Sequence, residues 1–127
     1  MSLLFTKHYT RAEARSLIPT LTAWLERLEQ LREETDKRET HIQTRHAGGE
    51  DLGGTLVNEL LRRLVETQDI LKEFETREIQ IKDLERGLVD FPCLQGGREI
   101  FLCWEKGEDD IEFWHELDTG YAGREPL

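Results

Sequence analysis

The fold is decided by IQIKDLERGLVDFPCLQGGREIFLCW, residues 79–104, and its continuation IEFWHEL, residues 111–117. Here apolar residues stop recurring at helical spacing and begin to alternate. Ile79-Gln80-Ile81-Lys82 alternates as a strand does. Leu88 to Cys93 is a second strand. Pro92 suits a sheet edge or a strand end, because proline has no N–H to give to a ladder. Gln95-Gly96-Gly97 is a hairpin-turn signal. Arg98 to Trp104 is the third strand, with Ile100, Leu102 and Trp104 on one face and Phe101 and Cys103 on the other. A strand apolar on both faces is central and covered on both sides. Ile111 to Leu117 is the fourth, and the tail from Asp118 carries little regular structure.

Upstream of this stretch the period is helical. Thr10-Arg11-Ala12-Glu13 is a capping box, in which Thr10 accepts from the third helical N–H and Glu13 reaches back. Leu17, Leu21, Trp24, Leu28 and Leu31 then recur at steps of four and three. Pro19 predicts a kink, or a break between a short helix and a long one. A helix reaching Thr44 is roughly 50 Å long at about 1.5 Å per residue. Its sparsely apolar half, from Glu33 to Arg45, must project into water or pack on another copy. Residues 46–54 form a Gly-rich loop that matches no phosphate-binding fingerprint, and Glu50 and Asp51 would repel an anion. A second helix from Thr55 to Thr76 carries Val57, Leu60, Leu61, Leu64, Leu71 and Phe74, and should run antiparallel to the first, seam against seam. The expected fold is α+β in a single domain, residues 1–127. A long antiparallel helical hairpin (1–77) precedes a small antiparallel three- to four-stranded sheet in a β-rich cap (78–127).

The net charge is −10, and residues 78–127 hold 5 basic and 13 acidic side chains of the 17 and 27 in the chain. That balance argues against nucleic acid and an anionic membrane as partners, both of which need a basic footprint. It suits a basic protein or a divalent cation. No nucleotide-binding motif occurs, and no apolar run is long enough for a signal segment or a membrane span. Cys93 and Cys103 are too few for a zinc framework, and two reduced thiols in a cytoplasmic protein are expected.

The candidate site residues lie in the cap. His115 falls on the apolar face of its strand. It is either a structural histidine satisfied by a carboxylate or a carbonyl, or a ligand or general base working with Asp83, Asp90 or Asp118. His115 and Asp118 are the candidate metal ligands. Arg98 and Arg124 either pair with Asp83, Asp90 or Asp118, pinning the tail, or clamp a small anion. Trp104 and Trp114 either stack on a flat ligand or bury at the core or a subunit contact.

Several motifs together resemble a bacterial family known only as domain of unknown function 2203. They are Lys82-Asp83, Gly87 to Pro92, Gly97-Arg98, Leu102-Cys103-Trp104, Gly107-Glu108, Trp114-His115, Gly120 to Arg124 and Pro126-Leu127. Phe5-Thr6 and Leu17-Ile18-Pro19 resemble the family's opening. Members often carry Gly before the strand leading into Lys-Asp, where this chain has Glu78. The resemblance implies a fold and no activity. Two functional readings follow: an oligomeric interaction or structural protein, a homodimer or larger, and a small-ligand-binding or metal-dependent enzyme using the acidic cap with His115.

Overall fold

The computed structural model describes residues 2–47 and 54–127, and the side chains of all of these but 38–47. Two helices, α1 (Arg11–Ala47) and α2 (Gly54–Thr76), precede five strands: β1 (Gln80–Asp83), β2 (Leu88–Gln95), β3 (Arg98–Glu105), β4 (Phe113–His115) and β5 (Glu125–Pro126). The sheet is antiparallel throughout in the order β1-β2-β3-β4-β5. The α+β layout is the expected one. All of the Gly-rich loop but its ends lies outside the described residues, as do the side chains of the projecting half of α1 beyond Lys37. No helix among the described residues is long and apolar enough to cross a membrane.

The capping box forms as read: the Glu13 N–H donates to Thr10 Oγ1 at 3.1 Å and the Thr10 N–H to Glu13 Oε1 at 2.9 Å. The expected break at Pro19 does not occur, and α1 is one helix. Pro19 and Arg15, whose carbonyl loses its partner, both lie on the exposed side, where water satisfies the freed group. Ala14, Leu21, Leu25, Leu28 and Leu31 face inward and are at most 2% exposed.

The helix pair is antiparallel, since Trp24 packs edge-on to Phe74, Arg27 pairs with Glu66, and Glu34 with Arg63. It is not the leucine-on-leucine seam expected. The side of α2 turned to α1 carries Arg63, Glu66 and Phe74, and Phe74 alone in α2 is buried. Val57, Leu61, Leu64 and Leu71 remain 41–53% exposed.

Helix α2 ends in a paired-bond cap. The Ile79 N–H donates to Phe74 O at 3.1 Å and the Glu78 N–H to Glu75 O at 3.0 Å, while Ile79 and Phe74 share one apolar cluster. That cap needs a left-handed residue, and Glu78 supplies it at φ 56, where glycine is favoured. The Glu78 carboxylate offsets the strain by holding the N-terminal segment. It accepts from the Thr6 N–H and Lys7 N–H at 2.9 Å each, and from the Thr6 hydroxyl.

The sheet departs from expectation at its margins. The fourth strand shrinks from Ile111–Leu117 to Phe113–His115, and the tail, expected to be irregular, adds β5 by pairing Pro126 with Phe113. Pro92 lies inside β2, which runs to Gln95, rather than at a strand end. It is tolerated because β1 reaches only Asp90, so that beyond it β2 is an edge. There the Tyr9 N–H donates to Pro92 O at 2.7 Å. Gly96 and Gly97, both at positive φ, make the two-residue turn between β2 and β3.

Strand β3 is central and dry on both faces, as its sequence required. Val89, Phe91, Leu102 and Trp104 meet Leu21, Leu25, Leu28 and Phe74 in the core. By alternation and register, the outer face carries Asp90, Phe101, Cys103, Phe113 and His115. The chain's two ends cover it. Phe5 packs on Phe101 at 5.5 Å between ring centroids, and Glu99 accepts from the Leu4 and Phe5 N–H groups at 2.7 and 2.9 Å. Arg124 in the tail lies 3.8 Å over the Phe113 ring and is held by Glu108 at 2.6 Å.

Glu78→Gly should change global stability by less than about 1 kcal/mol, because relief of the left-handed strain offsets the lost clamp. Amide exchange at Thr6 and Lys7 should nevertheless rise. Glu78→Ala keeps the strain and loses the clamp, so it should be the less stable of the two by chemical denaturation.

Candidate functional site

The pairing register builds one polar cluster inside the dry outer layer. Asp90 on β2 lies opposite Cys103 on β3, and His115 on β4 pairs two residues away, opposite Phe101. Asp90, Cys103 and His115 are each 1% exposed. One Asp90 oxygen, one His115 nitrogen and Cys103 Sγ all lie within 4.8 Å of one another.

Proton positions follow from partner chemistry. His115 Nδ1 is 2.6 Å from Glu116 O, and a carbonyl only accepts, so Nδ1 carries its hydrogen. His115 Nε2 is 2.9 Å from Asp90 Oδ2. Either a protonated Asp90 donates to Nε2, or a protonated ring donates to a carboxylate. In both forms one proton lies between the two groups and the pair is neutral, which is what a dry layer tolerates. Burial pushes the Asp90 carboxyl up, against the pull of His115, of the neighbouring Cys103 thiol and of the Lys82 ammonium. Asp90 Oδ1 is left buried without a hydrogen-bond partner. Burial, and then the Asp90 carboxyl, push the Cys103 thiol up to about 12. At neutral pH Cys103 is therefore a thiol and not a nucleophile.

Other residues named from the sequence lie elsewhere. Asp83 caps its own turn, accepting from the Arg86 N–H at 3.1 Å. Asp118 is exposed and stands outside the cluster. Arg98 pairs with Glu116 at 2.8 Å and Arg124 with Glu108, so neither uses the expected Asp83, Asp90 or Asp118. The tail-pinning role of Arg124 is nonetheless real. Trp104 is fully buried among the core residues, its indole N–H donating to Glu108 O at 2.9 Å. It forms neither a stacking platform nor a subunit contact. Trp114 packs half-buried against the same core. Cys103 is the member sequence reasoning left out. Its two-residue alternation with Phe101 gave its face, but only the β2–β3 register sets it opposite Asp90.

Asp90, Cys103 and His115 offer carboxylate, thiol and imidazole donors, a set that suits zinc-like ions. Catalysis on a substrate needs an opening, and the cluster is sealed. The surface hollows lie elsewhere: one of about 650 Å³ between α1 and Asp110, beside Arg11 and Arg15, and one of about 420 Å³ on α2, beside Leu61 and Val65. A family model described as an uncharacterised conserved protein, DUF2203, matches residues 7–127. No curated protein and no solved structure matches the chain.

In chelator-treated protein the folded state should keep the Cys103 proton that an unfolded thiol loses above about pH 8.5. The unfolded chain then binds fewer protons, so stability falls as pH rises from there toward 12. Urea titrations of wild type and Cys103→Ala should show this loss in wild type and a shallower slope in the variant. The Cys103 thiol should also resist maleimide at pH 8 until urea is added, read by peptide mapping apart from the half-buried Cys93.

Proposed function

Since the chain belongs to the DUF2203 family of uncharacterised conserved proteins, a membership that brings no activity with it, we propose its function from its own surface: a self-associating interaction protein whose α2 pairs with α2 of a second copy. One observation carries this reading. Val57, Leu61, Leu64, Val65 and Leu71 are 41–59% exposed on a helix that buries only Phe74. A contiguous apolar face of this kind marks an interaction site.

Spacing and charge favour a second copy as the occupant. Residues 57, 61, 64, 68 and 71 follow the alternating four-and-three steps of a two-helix seam, with Gln68 the one polar member, a position that fixes register. Arg62 and Asp69 are exposed along one flank. An antiparallel pair about a two-fold axis brings like flanks together, so Arg62 of each copy lies on the same side of the seam as Asp69 of the other. The opposite flank faces α1, which leaves a parallel pair without such contacts. A groove of about 210 Å³, lined by Leu28, Leu64, Leu71 and Leu84, offers space for a partner's side chain.

The leucines of α1 do not supply this contact, because Leu28 and Leu31 are spent inside the chain. The enzyme reading is disfavoured by the sealed environment of His115, which leaves a substrate no approach.

Sedimentation equilibrium should give a dimer for wild type. Leu61→Glu with Val65→Glu should give a monomer of unchanged helix content, since both side chains are exposed in the single chain. Arg62→Asp should weaken association at least tenfold, about 1.4 kcal/mol, and adding Asp69→Arg should restore it. A monomeric wild type at high concentration would falsify the reading. Rescue failure with a dimeric wild type would reject the antiparallel geometry alone.

A further inference from the structure

We propose that Asp90, Cys103 and His115 form an internal binding site for one divalent transition-metal ion of the zinc class, a site separate from the helical surface above. The donors converge within 4.8 Å, Asp90 and His115 through their own hydrogen bond and Cys103 beside them. A second observation points to a ligand: Asp90 Oδ1 is buried, on a residue 1% exposed, and has no hydrogen-bond partner. Native proteins rarely leave such an atom orphaned, and a bound ion is one recognised reason for it.

The surroundings fit the same occupant. A metal-bound histidine characteristically donates its other N–H to a carbonyl or carboxylate, which fixes the ring. His115 does so through Nδ1 to Glu116 O at 2.6 Å, leaving Nε2 toward Asp90. Thiolate, imidazole and carboxylate together select zinc, cobalt or ferrous iron over magnesium or calcium, which take oxygen ligands. Three protein donors leave one tetrahedral position, which Asp90 Oδ1 or a water fills.

Charge also balances. The metal-free cluster is neutral, with one proton on the Asp90–His115 pair and one on Cys103. A divalent cation replaces both protons, so a carboxylate, a thiolate and a neutral imidazole meet two positive charges and the cluster stays neutral. The two protons leave to solvent. Other charged groups facing the cluster are Lys82 from β1 and Arg124 from the tail, the latter neutralised by Glu108. The sealed position makes this a structural ion tying β2, β3 and β4 together, loaded when the chain folds.

The test refolds chelator-stripped protein from urea with zinc or cobalt(II), followed by desalting. One metal per chain is expected, with a thiolate-to-cobalt charge-transfer absorption and a raised melting temperature against the metal-free protein. Cys103→Ala should fold, keep its dimer state and lose the absorption and the bound metal. His115→Gln should also lose the metal. Protein that refolds without retaining metal, or that shows no melting shift, overturns the proposal. Metal retained equally by Cys103→Ala, without charge transfer in wild type, places the ion at surface carboxylates and overturns it as well.

Discussion

Strand β3 buries both of its faces, and the helical hairpin can cover only one. Everything outside the hairpin follows from that constraint. The inner face takes Leu21, Leu25, Leu28 and Phe74 from the helices. Nothing regular remains for the outer face, so the chain's ends fold back over it, Phe5 onto Phe101 and Arg124 onto Phe113. A short chain gains little core per residue, and drafting its termini as a second cover is one way to dry a whole sheet.

The acidic excess of the cap acquires a use in this arrangement. Glu78 and Glu99 hold the N-terminal segment by accepting its backbone N–H groups, while Glu108 holds the tail through Arg124. Hydrogen bonds from Thr6 outweigh burial and keep Glu78 below the usual carboxylate range. Glu99 sits below its own ordinary value because His8 and the Leu4 and Phe5 amides together outweigh its burial. Bonds from backbone amides to charged acceptors are stronger than neutral ones. The N-terminal segment, which has no ladder of its own, is thereby ordered, and the tail is held beyond its short pairing with β4. At Glu78 the same side chain tolerates a backbone conformation that glycine would adopt more cheaply, trading local strain for a distant anchor.

The two proposed sites lie on different elements of the molecule and obey opposite physics. On α2, apolar side chains meet water, which favours covering them. In the outer layer of the sheet, polar side chains meet hydrocarbon, which favours neutralising them. The Asp90–His115 pair meets that demand with one shared proton, yet one carboxyl oxygen remains unmatched.

Periodicity by itself determined the two helices, the switch to strands after Arg77, the central position of Arg98–Trp104 and the turn at Gly96-Gly97. These are set by local patterns of side-chain size and backbone freedom, which a sequence displays directly. It also placed His115 on an apolar strand face and named Asp90 among its possible partners. It could not show that they touch, because contact between β2 and β4 depends on register across β3, and register is a property of paired strands. The same reason hid Cys103. The tertiary structure alone decided which side of α2 meets α1: the inward side carries Ile70, Phe74 and the ion-paired Arg63 and Glu66, and leaves Leu61, Leu64 and Leu71 outside. It also decided where the ends go, since a terminus finds its place only once the face it covers exists.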